Sequence, residues 1–197
     1  MINRLIRFFG GTIKEEQVLV TKFVEPKTEK KSGREIERKF LMKSFPDDRL
    51  FLIEASLTNQ AYLSVEPEVR IRSKIYEDGT SDCTETIKGN GSLTRAEIEI
   101  SLTEQQFDNI LRLVDKSPIE KVCRMYLLED GSKLEVSYVD HAFYYAEVEF
   151  ESEKQAEKWE PTSVMKEYVI KEVTYDSEYK MKNYWNRTRL GSDAGKS

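Results

Sequence analysis

The chain has 197 residues, 39% hydrophobic and 34% charged, which is long enough for one domain with a sizeable core. No apolar run approaches the ~20 residues of a membrane-spanning helix, and "MINRLIRFFGG" lacks the apolar centre of a secretory signal. The net charge is −5, with +4 in residues 1–34 and −9 in the remainder, so we expect no nucleic-acid partner.

The cysteine and histidine content limits the kinds of site that the chain can build. Cys83 and Cys123 form neither a CxxC nor a CxH pattern, which predicts strand residues in a reducing, cytoplasmic compartment rather than disulfide or zinc chemistry. The single histidine, His141, lies in a predicted turn, which disfavours a histidine-based triad. Any metal must then be held by carboxylates, which favours Mg²⁺ or Mn²⁺.

The first predicted elements separate an extension from a strand-rich body. Residues 1–33 are predicted to be a loosely ordered N-terminal extension, with a short strand or helix at 16–24 and a linker at 25–33. From residue 34 the hydrophobic pattern has a period of two, and "REIERKFLM" is the first strand. "PDDRLFLIE" (46–54) carries proline and two aspartates at a helix-start position, which predicts a short helix.

Hairpins follow in the middle of the chain. "QAYLS" and "EVRIRSKI" are predicted strands, and "YEDGT" supplies the Asp-Gly of a hairpin turn. "CTETIKG" and "TRAEIEISL" form the next pair. Thr103–Gln106 has the pattern of a capping box and opens the predicted helix "EQQFDNILRLVD".

The last third continues the strand pattern and ends in a helix. "IEKVCRMYLLE" and "SKLEVSYVD" flank an Asp-Gly turn, and "AFYYAEVEF" follows them. "SEKQAEKWE" is a predicted helix, "YVIKEVTYD" a predicted strand and "SEYKMKNYWNRTRL" a C-terminal helix, with 191–197 as a tail. About eight strands joined by tight turns predict a mainly β, α+β fold: an eight-stranded antiparallel closed β-barrel with helices packed on the outside.

Each of several strands carries one charged face and one apolar face. Side chains two residues apart in a strand share a face, so Glu35, Glu37 and Lys39 lie together. The same alternation places further charged residues in phase: Arg70, Arg72, Lys74, Lys88, Glu97, Glu99, Glu135, Glu147 and Glu149. A charged face can simply meet water. If helices cover the apolar outside, however, the charged faces line the interior of the barrel.

A charged interior of both signs suits a polyanion bound together with a metal. Arginine and lysine grip phosphate oxygens, whereas carboxylates coordinate divalent cations that bridge to phosphate. The glycines of "KGNGSLT" are not followed by the Gly-Lys-Ser/Thr of a P-loop.

These motifs resemble the CYTH superfamily, also called triphosphate tunnel metalloenzymes, over most of residues 34–190. The family's opening Glu-x-Glu-x-Lys strand is matched by residues 35–39. "YLSVEPEVRIR", "TIKGNGSLTRAEIEI", "AEVEF" and "KEVTYDSEYKMKNY" resemble its later segments in the same order. The segment "EIERKFL" is most similar to the corresponding segment of the bacterial inorganic tripolyphosphatase branch.

The resemblance implies a divalent-metal-dependent triphosphatase whose interior is a triphosphate tunnel, with Mg²⁺ or Mn²⁺ as cofactor and a homodimer as a possible state. It implies that phosphate is bound by Lys39, Arg70, Arg72, Lys88 and Arg124. It implies metal ligation by Glu35, Glu37, Glu147 and Glu149. It implies that Glu97, Glu99 and Glu135 act in catalysis by placing the attacking water.

Two departures from the family pattern leave alternatives open. Ser137 stands where the family often has aspartate, and Lys121 is out of phase with Arg124 in "KVCRMY". The resemblance implies a short linear triphosphate as substrate: inorganic tripolyphosphate, or a nucleoside or thiamine triphosphate. The alternatives are a class IV-type adenylate cyclase and a non-catalytic module that binds nucleotides or polyphosphate.

Overall fold

The structure, a computed structural model, describes residues 33–191. The expectations for residues 1–32, including the strand or helix at 16–24, and for the tail at 192–197 lie outside the described residues. Nine strands run through the described part: β1 (Gly33–Met42), β2 (Phe51–Val65), β3 (Glu68–Tyr76), β4 (Ser81–Lys88), β5 (Thr94–Leu102), β6 (Ile119–Leu127), β7 (Lys133–Val139), β8 (Phe143–Glu149) and β9 (Val169–Glu172).

Eight of these strands close into an antiparallel barrel. The order is β5-β4-β3-β2-β6-β7-β8-β1, and β1 pairs with β5 through Gly33–Ile36 to complete the ring. β1 pairs with β8 through its second half, and β9 adds to β1 at Phe40–Met42. The predicted fold, an eight-stranded closed barrel with helices outside, is confirmed.

Three helices begin at residues whose side chains cap the first turn. α1 (Glu104–Val114) begins at the predicted capping box of Thr103 and Gln106 and buries Phe107. α2 (Glu153–Lys158) and α3 (Ser163–Tyr168) begin at Ser152 and Thr162, whose hydroxyls accept from backbone N–H groups of the first turn. No helix in residues 33–191 is both long and apolar enough to cross a membrane.

Two predicted helices are wrong in detail. Residues 46–50 form a turn, in which the N–H groups of Arg49 and Leu50 donate to the carbonyl of Pro46, and β2 begins at Phe51. Proline and aspartate open turns as readily as helices, which explains the error. The C-terminal helix is broken into a 3₁₀ turn (Ser177–Tyr179), α4 (Met181–Trp185) and a π-helical turn (Asn186–Leu190).

The apolar faces of β1 and β8 pack outward under α2 and α3. Phe40, Val148 and Trp159 belong to one buried cluster there. Arg38 lies on this outer face, and its guanidinium donates to both oxygens of Glu172 at 2.9 and 2.6 Å and to the carbonyl of Trp159 at 2.5 Å. The outer layer therefore holds the apolar side chains and leaves the other face of each strand to the interior.

The C-terminal segment packs at the end of the barrel where β2 meets β3. Lys180 donates to the carbonyl of Gly91 and Lys182 to the carbonyl of Val65, which ties α4 to the loops at this end. Trp185 packs 5.8 Å from the ring of Tyr62, within a buried apolar cluster that also contains Tyr145. Tyr62 is the cross-strand partner of Arg70, so the rings of Tyr62 and Trp185 cover this end of the interior.

Candidate functional site

The opening strand contributes three charged side chains to the interior. The Lys39 ammonium contacts the carboxylates of both Glu37 and Glu147, and its distance to Oε1 of Glu147 is 2.8 Å. Lys39 pairs directly with Glu147 across β1 and β8, and Glu37 pairs with Glu149. Because cross-strand partners share a face, these four side chains lie on the same side of the sheet.

A second charged group surrounds Glu35. The Lys88 ammonium donates to both oxygens of Glu35 at 2.7 Å and lies 3.2 Å from Oε2 of Glu97. Lys88 is nearly inaccessible, with 1% of its side chain exposed. A lysine at this depth is stable only with such partners, because an unpaired buried charge is costly.

Arg95 and Glu68 also belong to this group, although the sequence reading did not single them out. Nε of Arg95 donates to Glu35 at 2.8 Å, and its two terminal nitrogens donate to Glu37 at 3.1 Å and Glu68 at 3.2 Å. Both residues were detectable, since Arg95 is two residues before Glu97 and Glu68 two before Arg70, in phase with the predicted interior.

A basic group lies on the β2, β3 and β6 side. Arg70 and Lys121 each donate to Oε1 of Gln60 at 3.3 Å, so two cations share one neutral acceptor. Lys121 is buried. Two like charges held on one neutral acceptor form a favourable place for an anion.

Partly exposed ion pairs lie on the same interior face. Arg72 pairs with Glu99 at 3.3 Å, and Lys74 pairs with Glu54 at 2.7 Å and with Glu135 at 3.7 Å. The side chains of Arg72 and Glu135 are 29% and 30% exposed, against 4% for Glu37. Arg72 and Glu135 thus belong to the more solvent-accessible part of the charged interior.

Arg124 does not lie with these residues, which corrects the expectation that it binds the anion. Its cross-strand partners, Ala55 and Val136, face outward, and its guanidinium pairs with Asp47 and lies 4.3 Å from the ring centroid of Phe45. Lys121 takes the inward position because it is three residues away and strand faces alternate.

The interior position next to Lys121 belongs to Cys123, and it faces Ser137. The two residues pair across β6 and β7, with 3.3 Å between Sγ and Oγ, and Cys123 also contacts the Thr58 hydroxyl at 3.6 Å. All three side chains are buried. These contacts of Ser137 and Cys123 are with neutral groups, while Lys121 and Glu135 lie next to them on the same strands.

The buried carboxyls divide into two electrostatic types. Burial raises the pKa of Glu37 to about 7, with added repulsion from Glu147 and Glu35, although Lys39 acts in the opposite direction. For Glu35, burial is outweighed by Lys88 and Arg95, which hold the pKa of that carboxyl well below its usual range. Burial of Glu147 is likewise outweighed by Lys39 and Lys121, and its pKa is lowered. Glu37 is thus a buried carboxyl that titrates near neutral pH.

Comparisons with known proteins agree with this geometry. An inorganic triphosphatase of Nitrosomonas europaea is 34% identical over 151 residues, which cover 75% of this chain and 94% of that protein. The crystal structure of the inorganic triphosphatase NE1496 has 29% identity and a TM-score of 0.51, covering 76% of this chain and 93% of that one. A second structure, of the hypothetical protein NE1496, has 31% identity, a TM-score of 0.53 and coverages of 76% and 96%.

No family model matches the chain. The sequence identity nevertheless extends over nearly the full length of the relative. The closed barrel and its charged interior agree with that identity. The chain belongs to the CYTH superfamily of triphosphate tunnel enzymes.

Proposed function

We propose that the barrel interior hydrolyses a short linear triphosphate, with inorganic tripolyphosphate as the preferred substrate and Mg²⁺ or Mn²⁺ as cofactor. The observation that carries the proposal is the basic group of Arg70 and Lys121, which share a neutral acceptor inside a barrel. The Nitrosomonas europaea relative is named an inorganic triphosphatase, which supports the same reaction.

Phosphate binding is assigned to the basic side chains of the interior. Arginine binds two phosphoryl oxygens at once through its planar fork, and lysine adds a compact charge. Several of these cations are paired with carboxylates in the structure, so an incoming polyanion competes with those carboxylates and a metal cation offsets the charge they carry. The residues proposed to bind phosphate are Lys39, Arg70, Arg72, Lys88, Lys121 and Arg95.

The carboxylates of β1 and β8 fit a hard divalent cation. Glu37 and Glu147 both reach the Lys39 ammonium, which shows that one cationic point lies within reach of two carboxylates, and Glu149 faces Glu37 across the strands. Among residues 33–191 no three potential ligands converge on one point. Mg²⁺ usually takes one or two carboxylates and completes its shell with water and substrate phosphate, so a site of two carboxylates is compatible with the proposed cofactor.

The residues proposed to hold the metal are Glu35, Glu37, Glu147 and Glu149. A divalent cation bound there supplies neutralisation of phosphate charge. On the β5 and β7 sides, Glu97, Glu99 and Glu135 are proposed to orient the attacking water, each being held in place by a basic neighbour. Hydrolysis of this kind needs positioning and charge stabilisation more than covalent catalysis.

We further propose a reducing, cytoplasmic location. Cys83 on the outer face of β4 and Cys123 in the interior are both free and buried, and free thiols are typical of reducing compartments.

The test is a substrate screen on the full chain. Tripolyphosphate, thiamine triphosphate, ATP and pyrophosphate are each assayed with Mg²⁺ and with Mn²⁺, and again with EDTA. We expect metal-dependent release of orthophosphate, fastest from tripolyphosphate. Formation of cyclic AMP and pyrophosphate from ATP would instead identify a cyclase, and saturable binding without turnover would identify a binding module.

A further inference from the structure

Several buried polar groups of the barrel interior have no hydrogen-bond partner among the described residues. They include the hydroxyls of Thr84, Thr86 and Ser56 and the Nε of Arg70. Buried polar groups are almost always paired, because leaving one unpaired costs free energy. A cluster of them on one interior surface therefore indicates a polar ligand that completes their hydrogen bonds.

Two of these hydroxyls lie directly beside arginines. Thr86 on β4 is the cross-strand partner of Arg70 on β3, and Thr84 is the partner of Arg72. Cross-strand partners share a face and have neighbouring side chains, so β3 and β4 carry two arginine–threonine pairs that face the interior. Thr86 is completely buried, with no exposed surface.

We propose that Thr84 and Thr86 bind the phosphoryl groups of the substrate, each donating its hydroxyl hydrogen to an oxygen that the adjacent arginine also contacts. This inference rests on the proposed triphosphatase function. Phosphoryl oxygens at neutral pH are mainly hydrogen-bond acceptors, and a threonine hydroxyl whose donor is unused complements them. Arginine provides charge, and threonine provides a short, fixed donor on a rigid strand.

The spacing of the two pairs adds a reason for chain-length selectivity. Positions two residues apart on a strand are separated by roughly 7 Å. That distance exceeds the gap between two phosphorus atoms joined by a single bridging oxygen. A chain of three phosphoryl groups therefore engages both pairs with its ends, whereas pyrophosphate engages one pair at a time.

The test replaces the hydroxyl by a methyl group of the same shape. Thr86→Val and Thr84→Val are compared with Thr94→Val, a matched control whose hydroxyl is also buried and without a partner among the described residues. Thr94 pairs with Ile36, which belongs to the outer apolar cluster, so its side chain faces away from the interior. Thr86→Ser retains the hydroxyl and serves as the rescue variant.

The readouts are KM and kcat for tripolyphosphate hydrolysis, affinity for tripolyphosphate and pyrophosphate by calorimetry with EDTA, and thermal unfolding to verify folding. Loss of one hydrogen bond to an anion predicts a KM increase of about tenfold for Thr86→Val, with kcat changed by less than about twofold. Thr94→Val and Thr86→Ser should resemble the wild type. The double variant Thr84→Val/Thr86→Val should bring the affinities for tripolyphosphate and pyrophosphate closer together.

The outcomes separate this inference from the proposed function. If the wild type hydrolyses tripolyphosphate and Thr86→Val has the same KM, the threonine assignment is wrong while the proposed function stands. An equal KM increase in Thr94→Val also overturns it, since the effect would not depend on the interior face. If the wild type neither binds nor hydrolyses tripolyphosphate, the proposed function itself fails.

Discussion

Glu37→Gln is the substitution whose effect on stability follows most directly from the structure. It retains the shape of a side chain that is 4% exposed and removes its ability to ionise. The pKa of Glu37 is raised from 4.5 to about 7 by burial and by two neighbouring carboxyls. A difference of about 2.5 pKa units corresponds to about 3 kcal/mol between the folded and unfolded states.

The sign of the effect follows from proton linkage. Between pH 4.5 and about 7 the folded protein holds a proton on Glu37 that the unfolded chain has lost, so the free energy of unfolding falls as the pH rises. Above pH 7 the loss is complete. Without metal, Glu37→Gln should therefore match the wild type near pH 4.5 and exceed its unfolding free energy by up to about 3 kcal/mol at pH 8.

Urea unfolding at pH 5 and pH 8, in EDTA, measures this difference. Glu135→Gln is the control, because Glu135 belongs to the same interior face but is partly exposed. A divalent cation should then stabilise the wild type at pH 8 more than it stabilises Glu37→Gln. If Glu37→Gln is less stable than the wild type at pH 8, the pairing with Lys39 and Arg95 outweighs burial, and the electrostatic account of this site is refuted.

Two further pairs of substitutions test which side chains face the interior. Lys121→Met should raise KM for tripolyphosphate at least about tenfold, since it removes a charged hydrogen-bond donor, whereas Arg124→Met should leave KM unchanged in the same phosphate-release assay. The reverse order would show that the assigned faces of β6 are wrong. Arg38→Ala should lower the free energy of urea unfolding by about 2 kcal/mol, because its bonds to Glu172 and Trp159 are lost, and it should affect KM less than Lys39→Ala does. Equal effects of Arg38→Ala and Lys39→Ala on KM would contradict the outward position of Arg38.

The barrel was predictable because its strands obey a simple period. Glu35, Glu37 and Lys39 alternate with Ile36, Arg38 and Phe40. The prediction of a charged interior needed one further assumption, that helices cover the apolar face of the sheet. The same period includes Arg95 and Glu68. They were not predicted, because the family motifs contain the Glu-x-Glu and Arg-x-Arg pairs and not every residue in phase with them.

The errors arise where one local signal supports two structures. Pro46 with two aspartates is typical of both a helix start and a turn, and the strand that follows prevents the helix. Lys121 and Arg124 are three residues apart, so only one can face the interior, and residue type alone does not decide which one. Pairing of Arg124 with Val136, whose side chain is buried in the outer cluster, decides it in favour of Lys121.

The central claim is that this charged interior binds and hydrolyses tripolyphosphate, and orthophosphate release by three proteins tests it most directly. They are the wild type, Arg70→Met in the interior and Arg49→Met on the surface. Arg49 forms an exposed ion pair with Glu167. We predict metal-dependent release that Arg70→Met reduces at least about tenfold and Arg49→Met leaves unchanged. Undiminished release by Arg70→Met would contradict the claim.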